Sequence, residues 1–119
     1  MKQKVHSVSY LARAEFELKN GVYDLVALPS GAEVVKVSLE VVGNPIAGSV
    51  SVGFKDETNK EYFLNLESAS TNKNATSARD YTATSNKVVV AEVKNANARD
   101  AKGVLRVLYF LPSVIEVEY

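Results

Sequence analysis

Apolar residues recur at every second position along most of this sequence. That period constrains the fold most, because side chains two apart share one face of a β-strand but not of an α-helix. Val35, Val37, Leu39 and Val41 alternate with Lys36, Ser38 and Glu40. Ala14, Phe16 and Leu18 alternate with Arg13, Glu15 and Glu17, and Val50, Val52 and Phe54 alternate with Ser49, Ser51 and Gly53. Each set predicts a strand with one buried face. Tyr62, Leu64 and Leu66 continue the pattern, and Val88 to Val93 is a β-branched run suited to a strand. From Val104 to Leu111 the chain is apolar in both phases except at Arg106, which predicts a strand central to its sheet. Pro112 lacks an amide hydrogen and should interrupt the chain before a last strand, Ser113 to Tyr119, with Ile115, Val117 and Tyr119 on one side.

Turn-forming residues separate these runs at Asn20 and Gly21, Pro29 to Gly31, Gly43 to Gly48, Lys55 to Lys60 and Ser85 to Lys87. Helical periodicity is not convincing anywhere. The stretch Glu67 to Arg79 is rich in Ser, Thr and Asn without a large apolar residue, which predicts a long polar loop. About eight short strands joined by polar turns fit an all-β sandwich of jelly-roll or Greek-key type, with an up-and-down barrel as the alternative. No linker divides residues 1–119, so a single domain is expected, and the echo of Ala78, Arg79, Asp80 in Ala98, Arg99, Asp100 is too short for a repeat. A chain of 119 residues buries roughly 65% of the surface its unfolded form exposes, enough for one core.

Fourteen basic residues balance fourteen acidic ones, which leaves no excess charge to draw the chain onto nucleic acid or anionic lipid. The absence of cysteine removes disulfides, thiolate metal sites and cysteine nucleophiles. In the first eighteen residues, Arg13, Glu15 and Glu17 arrive before any apolar run, so a secretion signal is not expected. The longest apolar stretches fall far short of the roughly 20 residues a membrane helix needs.

Candidate chemistry is thin. His6 is the sole histidine, so any Ser-His-Asp arrangement would have to use it, and it precedes the clear strand pattern; a surface or interface role is favoured. Asp56, Glu57, Asn59 and Glu61 could suggest a hard cation, but no glycine supplies the turn of a calcium loop and Lys55 and Lys60 flank the acids. A mixed-charge hairpin turn is the better reading, and no metal is expected. Glu116 and Glu118 share a strand face about 7 Å apart, where solvent or a partner's cation is favoured over glycoside hydrolysis. No glycine-rich phosphate loop leads into a helix, so nucleotide chemistry and cofactors are not expected. Without tryptophan, sugar stacking would fall to Tyr10, Tyr23 or Tyr81, for each of which packing is favoured. The sequon Asn74, Ala75, Thr76 is read as incidental.

Beyond these residue-level readings, the segment from Gly21 to Val42 resembles small structural proteins of tailed phages. In these, a strand ends in Leu, Pro, any residue, Gly, Ala before a valine-rich strand; Leu28, Pro29, Gly31 and Ala32 match. The strand Gly48 to Phe54 closing on Val52, Gly53 and Phe54, the strand Tyr62 to Leu66, and the late strand Gly103 to Phe110 follow the same order. The resemblance implies a head-decoration or cement protein: a jelly-roll-like sandwich, commonly a homotrimer, made in the host cytoplasm and seated on the capsid exterior, where it clamps neighbouring major capsid subunits. It brings no catalytic residues. Many such proteins use an extended arm, for which only Met1 to Ser9 is available here. The loops Glu67 to Arg79 and Lys94 to Lys102 are the candidate partner contacts. The alternative is a carbohydrate-binding or host-recognition module of a phage tail or fibre; a hydrolase would require a deep pocket with His6 beside two carboxylates.

Overall fold

The alternating runs become strands in the computed structural model, which describes residues 1–45, 47–55, 61–70, 73–96 and 101–118. In chain order the strands are β1 (Lys2–His6), β2 (Ser9–Glu17), β3 (Gly21–Leu28), β4 (Glu33–Val42), β5 (Ser49–Phe54), β6 (Leu64–Leu66), β7 (Asn74–Ser77), β8 (Tyr81–Thr82), β9 (Lys87–Lys94), β10 (Lys102–Phe110) and β11 (Val114–Glu118). All pair antiparallel. One sheet has the order β2-β10-β4-β7, with β8 also on β4, and the second has the order β3-β9-β5-β6. The chain switches sheets at nearly every connection, as Greek-key and jelly-roll sandwiches do. β1 and β11 form a separate two-stranded ribbon, and the molecule measures 54 × 24 × 18 Å.

The core lies between the two sheets. Val34, Val37, Leu39, Leu105 and Val107 come from the first, and Val26, Leu28, Val50, Val52, Phe54, Val89 and Val93 from the second. β10 is central as expected, paired with β2 on one side and β4 on the other. Val104 is buried yet lies outside the core cluster, on the outward phase, flanked in register by Glu15 and Glu40. Long charged side chains cover it: Arg106 Nη1 is 3.1 Å from Glu40 Oε1 and Lys102 Nζ is 3.3 Å from Glu15 Oε2. Their aliphatic stems exclude water from the valine while the charges stay wet.

Several expectations need correction. The described residues form eleven strands rather than about eight, because β7 lies inside the stretch read as a polar loop, β8 is a two-residue bridge after it, and β1 lies in the N-terminal segment that showed no strand pattern. β7, with the sequence NATS, pairs with Val37 to Glu40 through its backbone while its side chains stay half-buried or exposed, so no apolar alternation marks it. Val35 does not continue the inward set. The register of β4 against β10 shifts between Leu108 and Tyr109, and the skipped residue lets Val34 take the core position.

Gly31 shows where the chain has no freedom. Its φ of +88° belongs to the turn before β4, and a Cβ built there would lie 2.7 Å from Cβ of Pro112. Gly31→Ala should lower the unfolding free energy by about 1–3 kcal/mol through strain and overpacking. Urea denaturation of the two proteins measures it.

Candidate interaction surfaces

The three tyrosines proposed as sugar platforms are held differently. Tyr81 and Tyr23 are half-buried, and Tyr10 is 51% exposed. The Tyr81 ring centre lies 4.4 Å from that of Phe54 and 5.4 Å from that of Tyr62, within a cluster that includes Phe63. Arg79 closes this cluster from outside, its guanidinium 3.9 Å from the Tyr62 ring centre and its Nη1 donating to the Tyr62 carbonyl at 3.1 Å. Tyr23 packs on Phe16 and its hydroxyl donates to the Lys19 carbonyl at 2.7 Å. Tyr10 meets Tyr109 edge-on and keeps one side open. Thus two of the three rings serve packing.

His6 pairs with Val114 at the base of the ribbon, and its Nδ1 donates to the Leu111 carbonyl at 2.9 Å. That bond bridges the Pro112 interruption and fixes how the ribbon leaves the body. His6 also borders a broad surface hollow of about 440 Å³ with Glu33, Val34, Val35, Asp80 and Phe110. The two carboxylates a hydrolase would need are therefore near the histidine, but the Glu33 carboxylate accepts the Thr82 hydroxyl at 2.8 Å, and among the described residues no hydroxyl is bonded to His6. The hollow is wide rather than deep, unlike a site that sequesters a reacting group.

Glu116 and Glu118 do not flank a cleft. They face Lys2, at 3.7 Å, and the N-terminal ammonium, at 3.4 Å, across the ribbon. Of the acidic turn, Asp56, Glu57 and Asn59 lie outside the described residues, as do residues 97–100 of the second candidate loop and Tyr119. Among the described residues no three metal-ligating side chains converge, and no helix is long and apolar enough to cross a membrane. Asn74 of the sequon opens β7 opposite Glu40.

Most exposed large apolar side chains of the described residues gather at one end, Val22 and Val42 lying elsewhere. Val8, Tyr10, Leu11, Val114 and Ile115 are each 41–62% exposed, and pairing of β1 with β11 and of β2 with β10 brings them to the ribbon and the adjoining half of β2. Among the described residues β2 pairs only with β10, so along its nine residues the other edge has no described partner. The other edges are blunted: β7 and β8 are four and two residues long, β6 is three, and β3 is bulged between Asp24 and Val26. Sequence reasoning placed the candidate contacts in polar loops and missed this end. The signals were present in Val8, Tyr10 and Leu11, but pairing between the first and last strands is not legible locally.

Charge on the outer face of the first sheet is arranged in a ladder. Lys102, through a side-chain hydrogen bond, and then Arg13 hold the Glu15 carboxyl below its ordinary range. A depressed carboxylate pKa contributes stability above the unfolded value, and that contribution is lost as pH falls through the folded value. Both groups are solvent-exposed, so thermal unfolding followed from pH 7 to pH 3 should show a shallow decline, and Glu15→Gln should flatten it further.

No family model and no curated protein matches the chain. Among solved structures, a chain in the acid-stable capsid of Helicobacter pylori bacteriophage KHP30 is 75% identical over all of both chains, with a TM-score of 0.94. Chains in the capsid asymmetric unit of cyanophage Pam1 (20% identity, 87% of this chain and 85% of that one, TM-score 0.68) and in the capsid of Ralstonia phage GP4 (16% identity, 92% and 88%, TM-score 0.64) share the fold. At 75% identity over the full length of both chains with a constituent of the KHP30 capsid, this chain belongs to the family of structural proteins of bacteriophage capsids.

Proposed function

We propose that this protein is a capsid decoration, or cement, subunit that binds the outside of the shell and stabilises contacts between major capsid subunits, acting as a homotrimer and without enzymatic activity. The observation that carries this reading is the 75% identity, over the full length of both chains, with a constituent of the KHP30 capsid. A net charge of zero supports an outer position, since a subunit facing packaged nucleic acid gains from excess positive charge. The open β2 edge and the apolar end around Leu11 and Ile115 supply the surface for copies to associate, since unprotected edges and apolar patches mark protein contacts.

The test is light scattering on the purified chain followed by rebinding to capsids stripped of it. The wild type should show about three times 12.9 kDa and raise the unfolding temperature of the stripped capsid. Leu11→Glu should shift the mass towards that of one chain while the circular dichroism stays that of a β-sandwich, because residue 11 is 62% exposed and contributes no core contact. A monomeric wild type that leaves stripped capsids unchanged overturns the reading.

The described core supports endurance in acid of the kind the KHP30 capsid is named for. Its only buried polar residue is Ser51, so acidification protonates carboxylates at the surface and exposes no buried charge.

A further inference from the structure

The edge of β2 that faces away from β10 is long and regular, and nothing guards it: from Ser9 to Glu17 it holds no proline, no lysine and no bulge. Two bonds that flank the ladder with β10 give its hydrogen-bonding phase. The Leu111 N–H donates to the Val8 carbonyl at 2.9 Å and the Leu18 N–H donates to the Ala101 carbonyl at 3.1 Å, both in the register of that pair. Even-numbered residues of β2 therefore bond to β10, while Leu11, Arg13, Glu15 and Glu17 aim their N–H and C=O groups at the other edge. The side chains of these four lie on the outer face, whereas Ala12, Ala14 and Phe16 turn inward.

An extended strand completes such an edge, and the order of charges along β2 selects which strand. Two copies related by a twofold axis run their β2 strands antiparallel, with the outer face of one beside the outer face of the other. An axis at Arg13 sets guanidinium against guanidinium, and an axis at Glu15 sets carboxylate against carboxylate; both are unfavourable. An axis at Ala12 faces Arg13 with Leu11 and Glu15 with Ser9, so neither charge gains a partner. An axis at Ala14 places Arg13 of each copy opposite Glu15 of the other. It also sets Phe16 opposite the small Ala12, and Leu11 opposite Glu17 without opposing like charges. Within one chain Arg13 and Glu15 are already 2.9 Å apart, so the four groups around that axis alternate in sign.

We propose that β2 pairs edge to edge with β2 of a second copy of this chain, about a twofold axis at Ala14, which joins the two first sheets into one continuous sheet. Arg13 with Glu15 and Leu11 with Glu17 are the hydrogen-bonded pairs, each formed twice, and Ala14 meets its own copy in a pair without hydrogen bonds. The alternating charges fix the register, and the backbone groups of the edge gain partners. The axis lies away from Val8, Val114 and Ile115, so the apolar end stays free. The contact is therefore independent of the threefold association proposed above, and where both form it links one trimer to the next.

The chain has no cysteine, so single introduced cysteines report the register by oxidation of the full-length protein. Ala14→Cys brings two thiols to a cross-strand pair whose Cα atoms are about 4.5 Å apart, within the span of a disulfide. Ala12→Cys leaves its two thiols about 13 Å apart along the strands, out of reach. With oxidised glutathione, Ala14→Cys should give a band at twice 12.9 kDa on a non-reducing gel, and Ala12→Cys should stay at 12.9 kDa. Both positions are half-buried and the exchange is small, and circular dichroism before oxidation checks that each variant is folded. Adding Arg13→Glu to Ala14→Cys sets carboxylates opposite one another twice and should slow crosslinking about fivefold. No crosslink at residue 14, equal crosslinking at residues 12 and 14, or a rate unchanged by Arg13→Glu would overturn the assignment. Light scattering on the wild type reads the trimer separately, so the two proposals fail independently.

Discussion

Phe54→Ala should cost about 3–5 kcal/mol of unfolding free energy, the largest loss expected from any single exchange in this chain. Phe54 is 1% exposed at the end of β5, and its ring centre lies 5.2 Å from Tyr62, 5.2 Å from Phe63 and 4.4 Å from Tyr81. β5 belongs to the second sheet, whereas Tyr81 belongs to β8, which pairs with β4 of the first. The ring therefore ties the two sheets together at one end of the sandwich. Removing it leaves a cavity that three anchored aromatic rings cannot collapse into, since Arg79 also holds Tyr62 from outside. Phe54→Leu, which keeps most of the volume, should cost less than half as much. Urea unfolding of both variants measures the difference.

Gly103→Val should be the next most damaging, at about 3 kcal/mol or more, since overpacking a filled core typically costs about 1–3 kcal/mol and valine adds two further methyl groups. Gly103 lies in β10 opposite Phe16 of β2, and a Cβ built on it would fall 2.3 Å from Cζ of Phe16. The ring lies across the glycine, so each residue requires the other. Phe16 cannot swing aside freely because it is 94% buried by its 6% exposure and packs on Tyr23. The pairing also suggests its own rescue: Phe16→Leu combined with Gly103→Ala should recover part of the stability lost in Gly103→Ala alone. A double-mutant cycle by urea unfolding measures that coupling.

The same residues show how much of the fold is written in the sequence. The long strands were legible because one face of each packs on the core: in β4 and β5 apolar side chains alternate with polar or small ones, and in β10 even the half-buried outward phase is largely apolar. β7 and β8 were not, because four polar residues and a two-residue bridge are held by the backbone of β4 and leave no pattern in side chains. Period alone also misplaced Val35, since a bulge shifts the phase and only the partner strand reveals it. The candidate surfaces were harder still. Val8, Tyr10 and Leu11 become one apolar end with Val114 and Ile115 only because β1 pairs with β11 across nearly the whole sequence.

Whether this chain decorates the exterior of a phage capsid is read directly from an electron cryo-microscopy reconstruction of the intact particle. Clusters of three elongated densities, each matching the 54 × 24 × 18 Å sandwich and its ribbon, are expected on the outer surface where major capsid subunits meet. Density for the chain on the inner surface, or built into the continuous floor of the shell, would contradict it.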